Sequence, residues 1–132
     1  VMNLKKIDHL VLTVVDVERS CHFYCDVLGM RRVMFGENRT ALHFGEYKIN
    51  LHRIDWDYNL KAGKPNAGSA DLCLTVGEDV RALITSFQVL GVEVIEGPIE
   101  RTGAIGDLVS IYVRDPDGNL IELANQTKDS KE

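Results

Sequence analysis

Cysteine is scarce in this 132-residue chain. The three thiols, Cys21, Cys25 and Cys73, are too few and odd in number, so no disulfide framework holds the fold. That scarcity fits a reducing compartment, and the expectation is a cytoplasmic location. Cys21 and Cys25 stand one helical turn apart with no further ligand near them in sequence, so they read as ordinary helix residues. Long apolar runs are missing too: nothing approaches the ~20 residues that span a bilayer. The opening Val1-Met2-Asn3-Leu4-Lys5-Lys6 has two lysines but no apolar segment after them, which reads as no secretory signal. Positive charge is in the minority, 15 Lys and Arg against 20 Asp and Glu, for a net charge of −5. Such a balance argues against nucleic acid or an anionic membrane as partner.

What is present is the composition of a globular protein, 45% hydrophobic and 27% charged, at a length suited to one domain. The chain also contains itself. Sliding it by 62 residues lays Leu10-Val11-Leu12-Thr13-Val14 on Leu72-Cys73-Leu74-Thr75-Val76, and Val27-Leu28-Gly29 on Val89-Leu90-Gly91. Seven of these eight pairs are identical, in two blocks at one offset, which points to a duplicated module. Each copy reads as an apolar, β-branched strand (7–14; 71–76), a helix with one apolar face, and three shorter strands. Asp16 suits the first helix as N-cap, and Gly29 and Gly91 suit left-handed C-caps. The shorter strands are expected at 31–35, 40–44 and 48–53, then at 92–96, 109–114 and 120–124. Residues 54–69, with Gly63, Pro65 and Gly68, read as a linker between module one (about 5–53) and module two (about 70–125). Asp115-Pro116-Asp117-Gly118 reads as a tight turn, and the polar tail 126–132 as frayed. The fold class is therefore α+β: two tandem βαβββ modules forming a cup-shaped mixed sheet, with helices on the outer face.

Strand alternation assigns the side chains to faces. Leu10, Leu12 and Val14 should pack under the helix, as should Ile49 and Leu51, Ile121 and Leu123, and Val109, Ile111 and Val113. The opposite face then collects His9, His43, Lys48, Asn50 and His52 from module one. Module two contributes Asp71, Cys73, Ser110, Tyr112, Arg114 and Glu122. His9 and Asp71 hold equivalent places in the two first strands, and Asn50 and Glu122 in the two last. An antiparallel sheet wetted on that side would also be polar there. Four pseudo-symmetric polar positions, however, offer imidazole, carboxylate and amide donors of the kind a divalent ion of intermediate hardness takes.

Ile7-Asp8-His9-Leu10 and Asp115-Pro116-Asp117-Gly118-Asn119-Leu120-Ile121-Glu122-Leu123, on paired βαβββ modules, resemble the vicinal oxygen chelate superfamily. Within it, Ala41-Leu42-His43-Phe44-Gly45, Asn50-Leu51-His52, Arg101-Thr102-Gly103-Ala104 and Ser110-Ile111-Tyr112 resemble glyoxalase-domain-containing protein 5 and bacterial lactoylglutathione-lyase-like members. The resemblance spans about residues 5–125 and implies a glyoxalase-type lyase or isomerase acting on a small vicinal-oxygen substrate, such as a thiol adduct of an α-oxoaldehyde. It implies a divalent metal ion as cofactor (Ni, Zn, Co, Mn or Fe), with His9 and Glu122 matching the first and last family ligands. Asn50 falls where a glutamate is usual and Asp71 where many members have a histidine. His52, on the face of Asn50, is a substitute ligand. The catalytic base is Glu122, with His52 or Asp71 as stand-ins. Arg101, Arg114, Tyr112 and Lys48 are the candidate substrate-binding residues, and the glycine-rich segment 97–107 a candidate lid. Trp56 and Tyr58 cover apolar surface, on a partner chain or their own. A homodimer is expected by analogy, without nucleic-acid or membrane partners. Two other readings stay open: a metal-free binding protein of the bleomycin-resistance type, and an extradiol-type dioxygenase, for which His9, Asp71 and Glu122 do not reproduce the usual two histidines and one carboxylate.

Overall fold

Runs of alternating apolar and polar residues form strands because one face can be buried while the other meets water. Eight such runs are strands in the computed structural model, which describes residues 1–129. The chain divides into two units, Val1–Gly68 and Ser69–Glu132. In the first, β1 (His9–Val14) leads into α1 (Val17–Cys21), which continues as a π-helical turn over His22–Val27. Then come β2 (Arg31–Phe35), β3 (Arg39–Phe44) and β4 (Tyr47–Arg53), with strand order β1-β4-β3-β2. The second unit repeats this with β5 (Asp71–Thr75), α2 (Val80–Leu90), β6 (Glu96–Thr102), β7 (Gly106–Arg114) and β8 (Leu120–Asp129), in the order β5-β8-β7-β6. The mixed sheet is thus realised as two four-stranded sheets, each with one parallel pair (β1 with β4, β5 with β8) and two antiparallel pairs.

The duplication reaches the level of register. Val11 stands opposite Asn50 as Cys73 stands opposite Glu122. Across the next ladder Asn50 faces Ala41 as Glu122 faces Tyr112. In each unit the helix packs on the apolar side of the sheet: α1 on β4, and α2 on β7 and β8. Leu12, Val14, Leu42, Ile49 and Leu51 are buried there with Phe23 and Tyr24, and Ile111, Val113, Ile121 and Leu123 with Val80 and Phe87. Each such side chain stabilises its unit by about 1.5–3 kcal/mol of transfer free energy. Leu10, expected under the helix, is instead 37% exposed near the start of the edge strand β1. Asp16 and Asp79 cap the two helices by accepting from the backbone N–H of Arg19 and Arg81. Gly29 (φ 83°) and Gly91 (φ 75°) close them in the left-handed region.

The Asp115–Gly118 turn is a buried polar hub. Asp115 Oδ1 accepts from the backbone N–H of both Asp117 and Asn119, and the Asn119 amide donates to Asp115 Oδ2 at 2.7 Å. Asn119 Oδ1 then accepts from the backbone N–H of Ala70 at 2.8 Å, pinning the start of β5 beside β8. Two expectations are corrected. Residues 92–95 form no strand; β6 begins at Glu96 and runs through the glycine-rich stretch read as a lid, so only a short turn at 103–105 joins it to β7. Gly97, at φ 106° beside a register shift between Glu96 and Ile99, accommodates the bend that lets the strand continue. The tail does not fray at Gln126: β8 continues to Asp129, and Gln126 and Thr127 donate to the Asp107 carbonyl. Residues 130–132 of that expected tail lie outside the described residues.

Candidate functional site

In the second unit the face away from α2 carries a row of polar side chains set by strand pairing. Cys73 on β5, Glu122 on β8 and Tyr112 on β7 are successive cross-strand partners. Ser110, fully buried one step along β7, donates to Glu122 Oε2 at 2.6 Å. That short, charge-assisted bond orients the carboxylate, which also interacts by hydrogen bonding with the Cys73 thiol and the Tyr112 hydroxyl. Arg101 on β6 donates through Nε to the Tyr112 hydroxyl at 2.8 Å and through Nη1 to the Glu100 carbonyl at 3.2 Å, and its guanidinium lies 5.5 Å from the Tyr112 ring. Its orientation is therefore set from the strand side while Nη2 stays available. Cys73, Thr75, Arg101, Gly103, Leu108 and Glu122 are among the residues around an open groove of about 500 Å³. The groove also shapes the electrostatics. Burial and the Glu122 carboxylate push the Cys73 thiol up to about 11, with Asp71 adding to the effect. The Tyr112 hydroxyl is also raised, chiefly by burial. Arg114 turns away to donate to the Gly118 carbonyl at 3.1 Å, and Asp71 is exposed opposite Leu120.

The corresponding face of the first unit is more enclosed. Asn50 and His52, expected to look outward, do lie on that face but are 6% and 7% exposed. The linker explains the second value: Tyr58 stacks on His52 with ring centroids 3.8 Å apart, and its hydroxyl accepts from the Arg53 backbone N–H. Arg39 donates to His52 Nε2 at 3.4 Å. Burial, then Arg39 and Lys61, hold the His52 pKa below its usual value, so its neutral form is favoured. Trp56 packs on its own chain as well, 5.0 Å from the Arg53 guanidinium. Lys48 lies 4.7 Å from the Phe35 ring. His9, near the open end of β1, has Nδ1 2.8 Å from Asp8 Oδ2. Its register partner is Lys48, one step from the Val11–Asn50 pair.

This arrangement has relatives. Residues 6–123 match the model of the Glyoxalase/Bleomycin resistance protein/Dioxygenase superfamily. The chain belongs to that superfamily. It is 48% identical over 123 residues to virulence protein STM3117 of Salmonella typhimurium, covering 93% of this chain and 85% of that one. The solved structure of that protein superposes with a TM-score of 0.93, covering 96% and 100% of the two chains at 47% identity. An integron cassette protein from V. cholerae superposes equally well, with a TM-score of 0.93 at 45% identity over 96% of this chain and 99% of that one. Lactoylglutathione lyase of Haemophilus influenzae is 34% identical over 123 residues, 87% of this chain and 88% of that one.

Members of the glyoxalase superfamily generally hold a divalent metal ion. Each unit offers donors of the kind such an ion takes. His9 Nδ1 lies 2.8 Å from Asp8 Oδ2, the carboxylate contact that orients metal-bound histidines and turns Nε2 outward. The Asn50 Oδ1 is buried with no hydrogen-bond partner, an orphan acceptor of the kind an ion would satisfy. Glu122 contributes a carboxylate oriented by Ser110. Among the described residues, no three His, Cys, Asp or Glu side chains gather as a metal-holding group. Sequence reasoning did not give functional weight to Ser110, although alternation already placed it on the face of Glu122, or to Arg39 and the stacking of Tyr58 on His52, for which no local pattern carried a signal.

Proposed function

We propose that this protein is a glyoxalase-type lyase or isomerase that moves a proton between neighbouring carbons of a small vicinal-oxygen substrate, such as the thiol adduct of an α-oxoaldehyde. The observation that carries the reading is Glu122: a carboxylate oriented by the buried Ser110 hydroxyl, facing a groove of about 500 Å³, with Arg101 among the lining residues. In this reading Glu122 takes the proton from the carbon bearing the hydroxyl group and returns it to the adjacent carbonyl carbon, while the hydroxyl proton passes to the former carbonyl oxygen. The hemithioacetal becomes a thioester with nothing gained or lost. The carboxylate oxygen held by Ser110 keeps its geometry while its companion handles the proton. Arg101, braced by Tyr112, grips an anionic part of the substrate through its remaining N–H groups; in the first unit Lys48 is a separate candidate for binding an anion. Arg114 is the weaker of the cationic candidates, because its guanidinium is engaged by the Gly118 carbonyl. His52 is a poor base in this reading, since Tyr58 covers its ring and Arg39 occupies Nε2.

His9 and Asn50 are the candidate donors to a divalent ion in the first unit, and Asp71 and Glu122 those in the second. When bound, that ion supplies Lewis-acid stabilisation of charge building on two neighbouring oxygens. The neutral Asn50 amide makes this a weaker donor set than one with a second glutamate. The test is metal content per chain after purification without chelator, for wild type, His9→Ala and Glu122→Ala, together with thioester formation from methylglyoxal and a thiol. Near-stoichiometric nickel, cobalt, manganese or zinc that both substitutions abolish, with turnover lost in parallel, is the expected result. No metal and no turnover, even after refilling with each ion, sinks the reading and favours a binding protein. Tightly held iron turns it toward ring-cleaving oxygenation.

A further inference from the structure

The first unit carries an unbalanced cluster of positive charge on the face of its sheet away from α1. Strand pairing puts His9, Val11 and Thr13 of β1 on that face with Lys48, Asn50 and His52 of β4. Arg39, Ala41 and His43 of β3 and Arg31, Val33 and Phe35 of β2 complete it. No aspartate or glutamate is among these twelve residues. The Arg39 guanidinium and the Lys48 ammonium both lie 4.7 Å from the centre of the Phe35 ring. Both side chains are partly buried, and among the described residues neither makes an ion pair. Five of the unit's eight carboxylates are paired elsewhere, Asp8 with His9, Glu18 with Arg32, Asp26 with His22, Asp55 with Arg53 and Asp57 with Lys61, and Asp16 caps α1. Asp8 feels Lys48, but its hydrogen bond is to His9.

Two like charges brought to one ring and partly desolvated are costly unless something negative meets them. The ring itself returns only about 0.5–2 kcal/mol per cation. Arg39 has a second constraint, since one N–H reaches His52 Nε2 and steers the guanidinium to the same spot. We propose that this face is an anion-binding subsite in which Arg39 and Lys48 together take a carboxylate or phosphate group of a small molecule. The guanidinium fork suits two oxygens of either group, and the ammonium adds a compact charge beside it. A polyanion is disfavoured, because the chain as a whole carries a net charge of −5. The proposal goes beyond the functional reading above and concerns the first unit alone, where it sets Arg39 beside Lys48 in recognising an anionic group.

The experiment is a titration of the chelator-treated protein with sodium phosphate and, separately, with sodium acetate. Ionic strength is held constant with chloride, and the backbone amide resonances of β2, β3 and β4 are followed. Saturable shifts with phosphate, with acetate or with both identify which anion chemistry the subsite takes. Arg39→Gln and Lys48→Gln should each weaken that binding at least tenfold. Arg39→Lys, which keeps charge but loses the fork, should weaken it less, and Lys64→Gln, an exposed linker cation, should leave it unchanged. Circular dichroism checks that each variant is folded, and Lys48→Gln decides the matter if Arg39→Gln is not. Absence of saturable shifts with either anion, or shifts that survive both glutamine variants, overturns the proposal. Metal content and turnover do not enter this measurement, so this proposal and the enzymatic reading can each fail without the other.

Discussion

The thiol of Cys73 senses its neighbours. It sits directly across the β5–β8 ladder from Glu122, and burial and that carboxylate together push it up to about 11. A thiolate there would add a negative charge beside an existing one in a partly desolvated place. Replacing Glu122 by Gln removes the charge but keeps the shape, so the thiol should become more acidic while burial still holds it above an ordinary cysteine. Alkylation of Cys73 by iodoacetamide at pH 8.5, followed by peptide mass spectrometry to separate it from Cys21 and Cys25, should run about three to thirty times faster in Glu122→Gln than in wild type. An unchanged rate would mean that burial alone governs the thiol and that Glu122 does not face it in solution. The same charge logic separates Glu122 from Asn50, its structural equivalent: in the first unit the corresponding ladder places Val11 and Ala41 beside a neutral amide.

Among the elements, β6 is the one the sequence hid. Gly97, Pro98 and Gly103 spell a loop by composition, and the segment was expected to cover the site rather than form part of its wall. Strand geometry prevails because Gly97 can adopt φ 106° where β6 crosses closely over β7. A Cβ added at Gly97 would overlap the Ser110 carbonyl oxygen and come within 2.9 Å of Ile111 Cα, both backbone atoms that cannot swing aside. Gly97→Ala should therefore lose about 2–4 kcal/mol of stability in urea denaturation, from strain and displaced backbone together. Gly63→Ala, in open space in the linker, should change it by less than about 1 kcal/mol. Equal effects would show that the β6–β7 crossing yields more easily than its geometry implies. Other elements were legible for physical reasons. Where alternation is regular and caps are marked, as in β2, β4, α2 and the Asp115–Gly118 turn, local chemistry and final structure agree. The faces of Asn50, His52, Tyr112 and Glu122 were legible for the same reason, since period-two alternation survives pairing, whereas Arg101, in a segment that reads as a loop, stands on β6. What alternation cannot show is a residue arriving from elsewhere in sequence: Tyr58 closing over His52, or Arg39 meeting Lys48 at Phe35.

At the scale of the whole chain, a duplicated fold has diverged in charge. Residues 1–68 hold ten Lys and Arg against eight Asp and Glu, whereas residues 69–132 hold five against twelve, giving +2 and −7. The ion pairs follow the basic residues. Glu18–Arg32, Arg53–Asp55 and Lys61–Asp57 all belong to the first unit, while the second shows Arg81–Asp79 at a loose 3.9 Å. The first unit thus pairs part of its charge, with Arg39 and Lys48 among the cations outside those pairs, and the second repels itself. This divergence in charge is one that two identical copies could not have. It also predicts opposite responses to salt. Screening weakens attraction and repulsion alike over about 10 Å at 0.1 M. Raising sodium chloride from about 20 mM to about 300 mM should therefore increase amide hydrogen-exchange protection in β5, β7 and β8. In β1, β3 and β4 protection should stay level or fall, because there the screened terms are mainly favourable pairs. Protection rising equally in both sheets would mean that salt acts through general exclusion from the surface, and that the charge asymmetry has no bearing on stability.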